Sequence, residues 1–151
     1  MYSTLEKTII LKTASLFSEI TAQTLSRVAQ YSEEESYPAG TVVYREGDPG
    51  SAIYIVASGS VSLAVRGIEL GVLRRGDPFG EVAVLNRDVY RGQATAMEDT
   101  VLLRIDQEDL FDLMQADAEI MKGIVGLLAR RVVQVGSSLL DRVAGAQSGP
   151  K

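Results

Sequence analysis

Two side chains ten residues apart carry the clearest chemistry in this sequence: the carboxylate of Glu81 and the guanidinium of Arg91. They lie in a stretch, residues 75–96, that reads Arg-Gly-Asp-Pro-Phe-Gly-Glu-Val-Ala-Val-Leu-Asn-Arg-Asp-Val-Tyr-Arg-Gly-Gln-Ala-Thr-Ala. A Gly-Asp-Pro turn delivers the chain to Phe79, and Gly80 lets the backbone come close to a ligand. The apolar run at 82–85 suffices for one helical turn. The first amides of such a turn have no intrahelical partner and point outward with the positive end of the dipole, which suits a phosphate. A loop then returns Arg91, so a carboxylate that accepts from a hydroxyl and a planar guanidinium that holds two oxygens face one small anionic polyol from opposite sides. That is the chemistry of a pocket for a sugar phosphate.

Other chemistries are removed by composition. There are no cysteines and no histidines among the 151 residues, which takes away disulfides, thiolate nucleophiles, imidazole bases and the commonest zinc ligands together. No Gly-x-Ser-x-Gly elbow, Walker loop or dinucleotide fingerprint occurs, and Asp77 and Glu81 lack a partner with obvious acid–base chemistry, so no catalytic residues and no enzyme are expected. Asp48 and Asp77 fall in turns and read as turn formers, so no metal site is expected. The 15 basic and 20 acidic side chains leave a net charge of −5. That is the wrong sign for general affinity to nucleic acid, and any DNA contact has to come from another domain.

The elements that must position these residues follow from period and punctuation. A chain of this length, 46% hydrophobic and 23% charged, reads as one globular domain over 1–146 with a disordered tail at 147–151. No charged-then-apolar leader opens it and no apolar run approaches the roughly 20 residues of a bilayer span, so a cytoplasmic location without a membrane segment is expected. Residues 3–31 read as helices, with Leu5, Ile9 and Ile10 at helical spacing, Leu16 and Phe17 as an apolar anchor, and Thr21 as N-cap of a helix through Leu25 and Val28. The acidic run Glu33 to Glu35 reads as a solvated strand edge or helix end.

From 37 to 105 the period changes. Nine of the fourteen glycines fall between Gly40 and Gly92, and the turns they make separate β-prone runs at 41–44, 52–57, 61–65 and 68–73. Two more strands are expected at 93–97 and 100–105. Short antiparallel strands with tight turns predict a mainly β domain with flanking helices, a β-roll of jelly-roll type. Gly47, Gly59 and Gly76 are expected where the backbone needs positive φ. Asp106 should cap a helix from Gln107 through Met114, and Asp117 or a neighbour should begin the last helix. There Met121, Val125, Leu128, Val132, Val135 and Leu139 follow a heptad seam, able to pack on the roll or on a second copy over 121–139. Gly136 is the expected hinge.

The 75–96 stretch resembles the phosphate-binding cassette of the cyclic nucleotide-binding domain, the module of catabolite activator proteins, protein kinase A regulatory subunits and cyclic-nucleotide-gated channels. Phe79-Gly80-Glu81, the apolar Val82-Ala83-Val84 and then Arg91 match it. So do Pro38-Ala39-Gly40-Thr41, Arg45-Glu46-Gly47-Asp48 and the 54–59 run, in the same order, and the resemblance covers roughly 12–135. It implies that Glu81 accepts from a ribose 2′-hydroxyl, that Arg91 pairs with exocyclic phosphate oxygens, and that amides over 80–83 complete the anion site. The residue after the arginine is commonly Ser, Thr or Ala in the family; here Gly92 and Gln93 follow, and no hydroxyl adjoins Arg91. The resemblance also implies a C-terminal lid helix whose side chains cover the base, for which Val135, Leu139 and Leu140 are the candidates.

The function so implied is a regulatory domain that binds a cyclic nucleotide, cyclic AMP before cyclic GMP, needs no cofactor, and signals through movement of its last helix to an effector in a longer chain or a partner protein. The alternative is a degenerate module of the same fold that dimerises or docks and binds no nucleotide.

Overall fold

A computed structural model describes residues 1–147; the rest of the expected tail, 148–151, lies outside the described residues. The chain opens with two helices, α1 (Thr4–Thr13) and α2 (Ala22–Tyr31). Each starts at a hydroxyl. The Ser3 side chain accepts from the Glu6 amide while the Glu6 carboxylate accepts from that of Ser3, and the Thr21 side chain accepts from the Thr24 amide, satisfying donors a helix start leaves open.

Six strands and a short helix lead into the cassette's return: β1 (Glu33–Tyr37), β2 (Val42–Tyr44), β3 (Ala52–Ser58), β4 (Val61–Val65), β5 (Ile68–Leu73), β6 (Pro78–Phe79) and α3 (Glu81–Leu85). Then come β7 (Gln93–Ala96), β8 (Thr100–Asp106), α4 (Gln107–Ala116) and α5 (Ala118–Gln147). The strands form two antiparallel four-stranded sheets, ordered β1-β8-β3-β6 and β2-β7-β4-β5. The acidic run thus lies on β1, an edge strand. The two-residue β6, which bridges to Tyr54 and Ile55 of β3, was not visible as a strand in the sequence because two residues carry no period.

Two turns of like sequence are built the same way. The amides of Arg45 and Arg74 each donate to the carboxylate three residues on, Asp48 and Asp77, at 2.9 Å. Gly47 and Gly76 sit at φ 91° and 89°, and Gly59 at 88°, so the glycines and aspartates serve the turns as expected.

β3 explains why 52–57 is an unbroken apolar run. Ile53, Ile55 and Ala57 join Leu103 and Ile105 of β8 in a core shared with Leu11, Phe17, Leu25, Ile120 and Ile124 of the helical layer. Ala52, Tyr54 and Val56 face a second core between the sheets, with Tyr44, Val61, Phe79, Tyr90 and Leu102. A strand buried on both faces loses the polar alternation that an exposed face imposes.

The ends of the last two helices depart from expectation in instructive ways. Asp106 occupies the N-cap position of α4 but makes no capping bond, because its carboxylate pairs with Arg104 at 3.0 Å. Asp117 does begin α5, accepting from the Glu119 amide at 2.9 Å. α5 runs without a break through Gly136 to Gln147. Its face on the body is Ile120, Ile124 and Leu127, all 5% exposed or less, whereas Val125, Val132, Val135 and Leu139 of the expected seam are more than half exposed. Gly123 decides between the two faces: a Cβ there would lie 3.1 Å from Ile20, so the helix docks on its glycine side. By length and mean hydropathy, 28 residues at 1.3, 118–145 would suffice to cross a membrane, but Arg130 and Arg131 stand at its middle and its first turns are packed in the core.

Phe17, in the α1–α2 connection and fully buried, belongs to the core shared with β3, β8 and α5. Phe17→Ala should cost about 3–5 kcal/mol, read as a lower urea midpoint with an unchanged slope.

Candidate functional site

α3 is where the two cores meet, Val84 belonging to the helical one and Ala83 to the one between the sheets. Its start is Gly80, at φ 83°. A Cβ at Gly80 would lie 3.2 Å from the Ala52 carbonyl oxygen and from the Tyr90 ring, so the glycine serves both the left-handed backbone and a close approach of the protein's own atoms. The turn's first bond runs from Val84 N to Gly80 O at 3.4 Å. The amides of Glu81, Val82 and Ala83 lie ahead of it, presenting open donors. At the other end the Gln107 side chain donates to the Val84 carbonyl at 2.9 Å, and the Arg87 guanidinium lies 4.4 Å from the centre of the Phe111 ring. α4 thereby braces the far side of the turn.

The loop that returns to Arg91 is anchored by the residue before it. The Tyr90 hydroxyl donates to the Ala52 carbonyl at 2.6 Å and accepts from the Ala52 amide at 3.1 Å, and its ring stacks on Tyr44 with centroids 3.7 Å apart. Tyr54 and Phe79 stack beside them at 5.3 Å. Burial pushes the Tyr90 phenol above its usual value; burial first, then the neighbouring Tyr90, does the same for Tyr44. With Tyr90 locked inward, Arg91 is turned outward and remains 75% exposed. After it, a Cβ on Gly92 would fall 2.8 Å from the Ala64 carbonyl oxygen and 3.1 Å from Val65. No larger residue fits there without displacing β4, which gives a packing reason for glycine where the resembled family commonly has a small hydroxylated residue.

These pieces enclose a cavity of about 460 Å³. Of the residues expected to bind a ligand, Phe79, Gly80, Glu81, Val82, Ala83, Arg91 and Gly92 all line it. Gln93 does not; its side chain donates to Thr95 at 3.3 Å within β7. Nor do Val135, Leu139 and Leu140, which are exposed along the far half of α5. The α5 residue at the cavity is Arg131, one turn before Val135, so in this structure the candidate lid residues lie beyond the part of α5 that reaches the cavity. The rest of the wall, unforeseen, is Leu63, Ala64, Val65, Leu70 and Leu73, an apolar slot from β4 and β5, with Tyr44 of β2, Pro78 of β6 and Tyr90 of the loop before β7.

Arg131 does more than line the cavity. Its guanidinium is hydrogen-bonded to the Glu81 carboxylate, and Glu81 is only 5% exposed. A buried carboxylate without a partner costs several kcal/mol, so a burial-minded reading of the sequence could have asked which cation answers Glu81. The Arg130-Arg131 pair interrupting an apolar helix was the available signal. Arg91 is also paired, donating to Asp88 at 2.9 Å.

Three comparisons bear on this arrangement. A family model described as cyclic nucleotide-binding domain matches residues 34–117. The cyclic AMP receptor protein of Thermus thermophilus is 33% identical over 127 residues, 81% of this chain and 59% of the relative. The cAMP-dependent protein kinase regulatory subunit of Pyricularia oryzae is 40% identical over 78 residues, 50% of this chain and 20% of the relative. Among solved structures, the Thermus thermophilus catabolite activator protein superposes with a TM-score of 0.76 at 32% identity, covering 87% of this chain and 63% of that one. The regulatory domain of Toxoplasma gondii PKA with cAMP gives 0.73 at 22%, covering 87% and 50%, a likeness of fold. The chain spans about three fifths of the length of the first curated relatives, 59% and 62%.

The Glu81–Arg131 pair should show a coupling energy of about 1–2 kcal/mol in a double-mutant cycle of Glu81→Gln and Arg131→Met, the half-exposed guanidinium holding it below the fully buried range. Chemical denaturation of the four proteins measures it, and additive losses would mean that the pair contributes nothing beyond its members.

Proposed function

The chain belongs to the cyclic nucleotide-binding domain family, and from that membership we propose a regulatory domain that captures a cyclic nucleotide, cyclic AMP before cyclic GMP, without catalysing a reaction on it. The observation that carries the reading is that Glu81, Arg91 and the open amides of α3 line one cavity. In it Glu81 would accept from the ribose 2′-hydroxyl, and Arg91 with the amides over 80–83 would share the single diffuse charge of the cyclic phosphate. Leu63, Leu73 and Val82 offer an apolar place for the base. Similarity to a cyclic AMP receptor protein and a cAMP-dependent protein kinase regulatory subunit favours the same ligand.

Signalling in this reading passes through α5. Arg131 ties the helix to Glu81, so a ligand hydroxyl arriving at that carboxylate changes what the helix is bonded to. A ligand with different affinity for two α5 positions shifts their populations, and the outer half of the helix, with Val135, Leu139 and Leu140, is free to close over the base. The output would go to an effector in a longer chain or a partner, in the cytoplasm.

A second reading is favoured by one observation: both charged side chains of the site already have internal partners, Glu81 with Arg131 and Arg91 with Asp88. Such a pocket could stand empty while the exposed apolar residues over 121–139 join two copies, a dimerisation module of the same fold.

Calorimetry on the purified chain separates them. Micromolar or tighter binding of cyclic AMP, abolished by Arg91→Glu, is expected. No heat with either cyclic AMP or cyclic GMP, together with a dimer in sedimentation, removes the first reading and leaves the second.

A further inference from the structure

The Asp88 backbone is held beside Arg91. One carboxylate oxygen of Asp88 accepts from the Arg91 guanidinium at 2.9 Å and the other from the Val89 amide at 2.8 Å. The Val89 amide first, and Arg91 after it, hold the Asp88 carboxyl below its usual range, so it is charged throughout neutral pH. Its backbone is fixed on both sides: the amide donates to the Ala83 carbonyl at 2.9 Å, and the carbonyl accepts from Gly50 at 2.9 Å. A Cβ on Gly50 would come within 2.7 Å of the Asp88 oxygen and of Ala83 Cβ, so the loop lies hard against α3. The carboxylate cannot withdraw from Arg91 by backbone motion without losing both bonds.

A guanidinium has five N–H donors. Asp88 takes one, and others remain for a ligand, whose negative charge would then lie across the guanidinium from a fixed carboxylate. The second pair, Glu81 and Arg131, adds no net charge. The charged side chains that line the cavity, Glu81, Arg91 and Arg131, carry one net positive charge; Asp88, bonded to Arg91 just outside the lining, offsets it, so each negative charge on a ligand phosphate is attracted by Arg91 and repelled by Asp88.

We propose that Asp88 is a specificity-determining residue that sets the charge of the ligand this cavity accepts, favouring a monoanionic phosphodiester over a dianionic phosphate monoester. The inference rests on the cyclic-nucleotide reading of the cavity. At a separation of about 6 Å in water at low salt, one unit of repulsion changes affinity about threefold, and less as salt screens it. A dianion meets it twice. Removing the charge should then tighten a monoanion about threefold and a dianion about tenfold.

The test displaces a fluorescent cyclic AMP analogue from the whole chain with cyclic AMP and with 5′-AMP, at low and at physiological salt, for the wild type, Asp88→Asn and Asp88→Ser, each checked for an unchanged melting curve. The preference for cyclic AMP over 5′-AMP should fall about threefold in both variants, and the fall should shrink as salt rises. A residue that merely orients Arg91 would change both affinities by one factor and leave the ratio where it was. An unmoved ratio in a wild type and variants that bind cyclic AMP overturns this inference alone. A wild type that binds no cyclic AMP overturns the reading of the cavity and the inference with it.

Discussion

A carboxylate that is 5% exposed is the constraint from which the rest of this architecture can be derived. Glu81 heads a five-residue helical turn, where the open amides and the dipole favour negative charge but supply less than about 1 kcal/mol at a helix start. Burial of the same group costs several. A cation must therefore come from elsewhere, and it comes from Arg131, fifty positions on. For that side chain to arrive, α5 has to stand against the body of the protein, which it does through Ile120, Ile124 and Leu127 in the helical core. That core in turn exists because β3 and β8 present Ile53, Ile55, Leu103 and Ile105 on their outer face.

The cavity is rigid for a related reason. Residues of β3 alternate between two cores, so neither sheet nor helical layer can shift without disturbing the other. The turn and loop that carry the site are fastened at several points: Tyr90 to both polar groups of Ala52, Gln107 to Val84, Asp88 to Gly50 and Ala83. Arg91, Val82 and the β4–β5 edge with Leu70 are left to solvent. A site whose polar donors are fixed before a ligand arrives loses little order on binding it, while the exposed members retain the freedom to adjust.

What could be read from the sequence was what is local in it. Turn chemistry at Gly47-Asp48 and Gly76-Asp77, the caps at Thr21 and Asp117, and the Gly80-Glu81 start of α3 depend on neighbours within four residues, and each appears where its local pattern indicated. Placement decided by distant packing was not legible. α5 carries apolar residues on two faces, and its period could not tell which face docks; the missing Cβ at Gly123 against Ile20 decided that. Gly92 looked like a departure from a binding motif, yet the Ala64 carbonyl at 2.8 Å from its absent Cβ makes it a packing requirement. Gln93, next to Gly92 in sequence, donates its amide to Thr95 along β7 instead of lining the cavity. Asp88 stood three residues before Arg91 in plain view, and only the geometry showed that the two are paired.

The Glu81–Arg131 bond gives helix position and cavity occupancy a common term. Binding free energies are reciprocal: if a hydroxyl that donates to Glu81 weakens the hold of Arg131, then any contact that draws Arg131 away from Glu81 must alter the affinity for that hydroxyl by the same factor. The exposed outer half of α5 is where such a contact would act, because Val132, Val135 and Leu139 are more than half exposed there. A surface that is covered only in one position of the helix would supply differential free energy of the kind a two-state device needs, and a few tens of square ångströms of apolar area, at roughly 25 cal/mol per Å², already amounts to about 1 kcal/mol. That is comparable to a partly exposed ion pair. In the proposed reading, the ion pair in the cavity and hydrophobic cover of the outer half of α5 would be comparable in energy, so a change at one would be felt at the other.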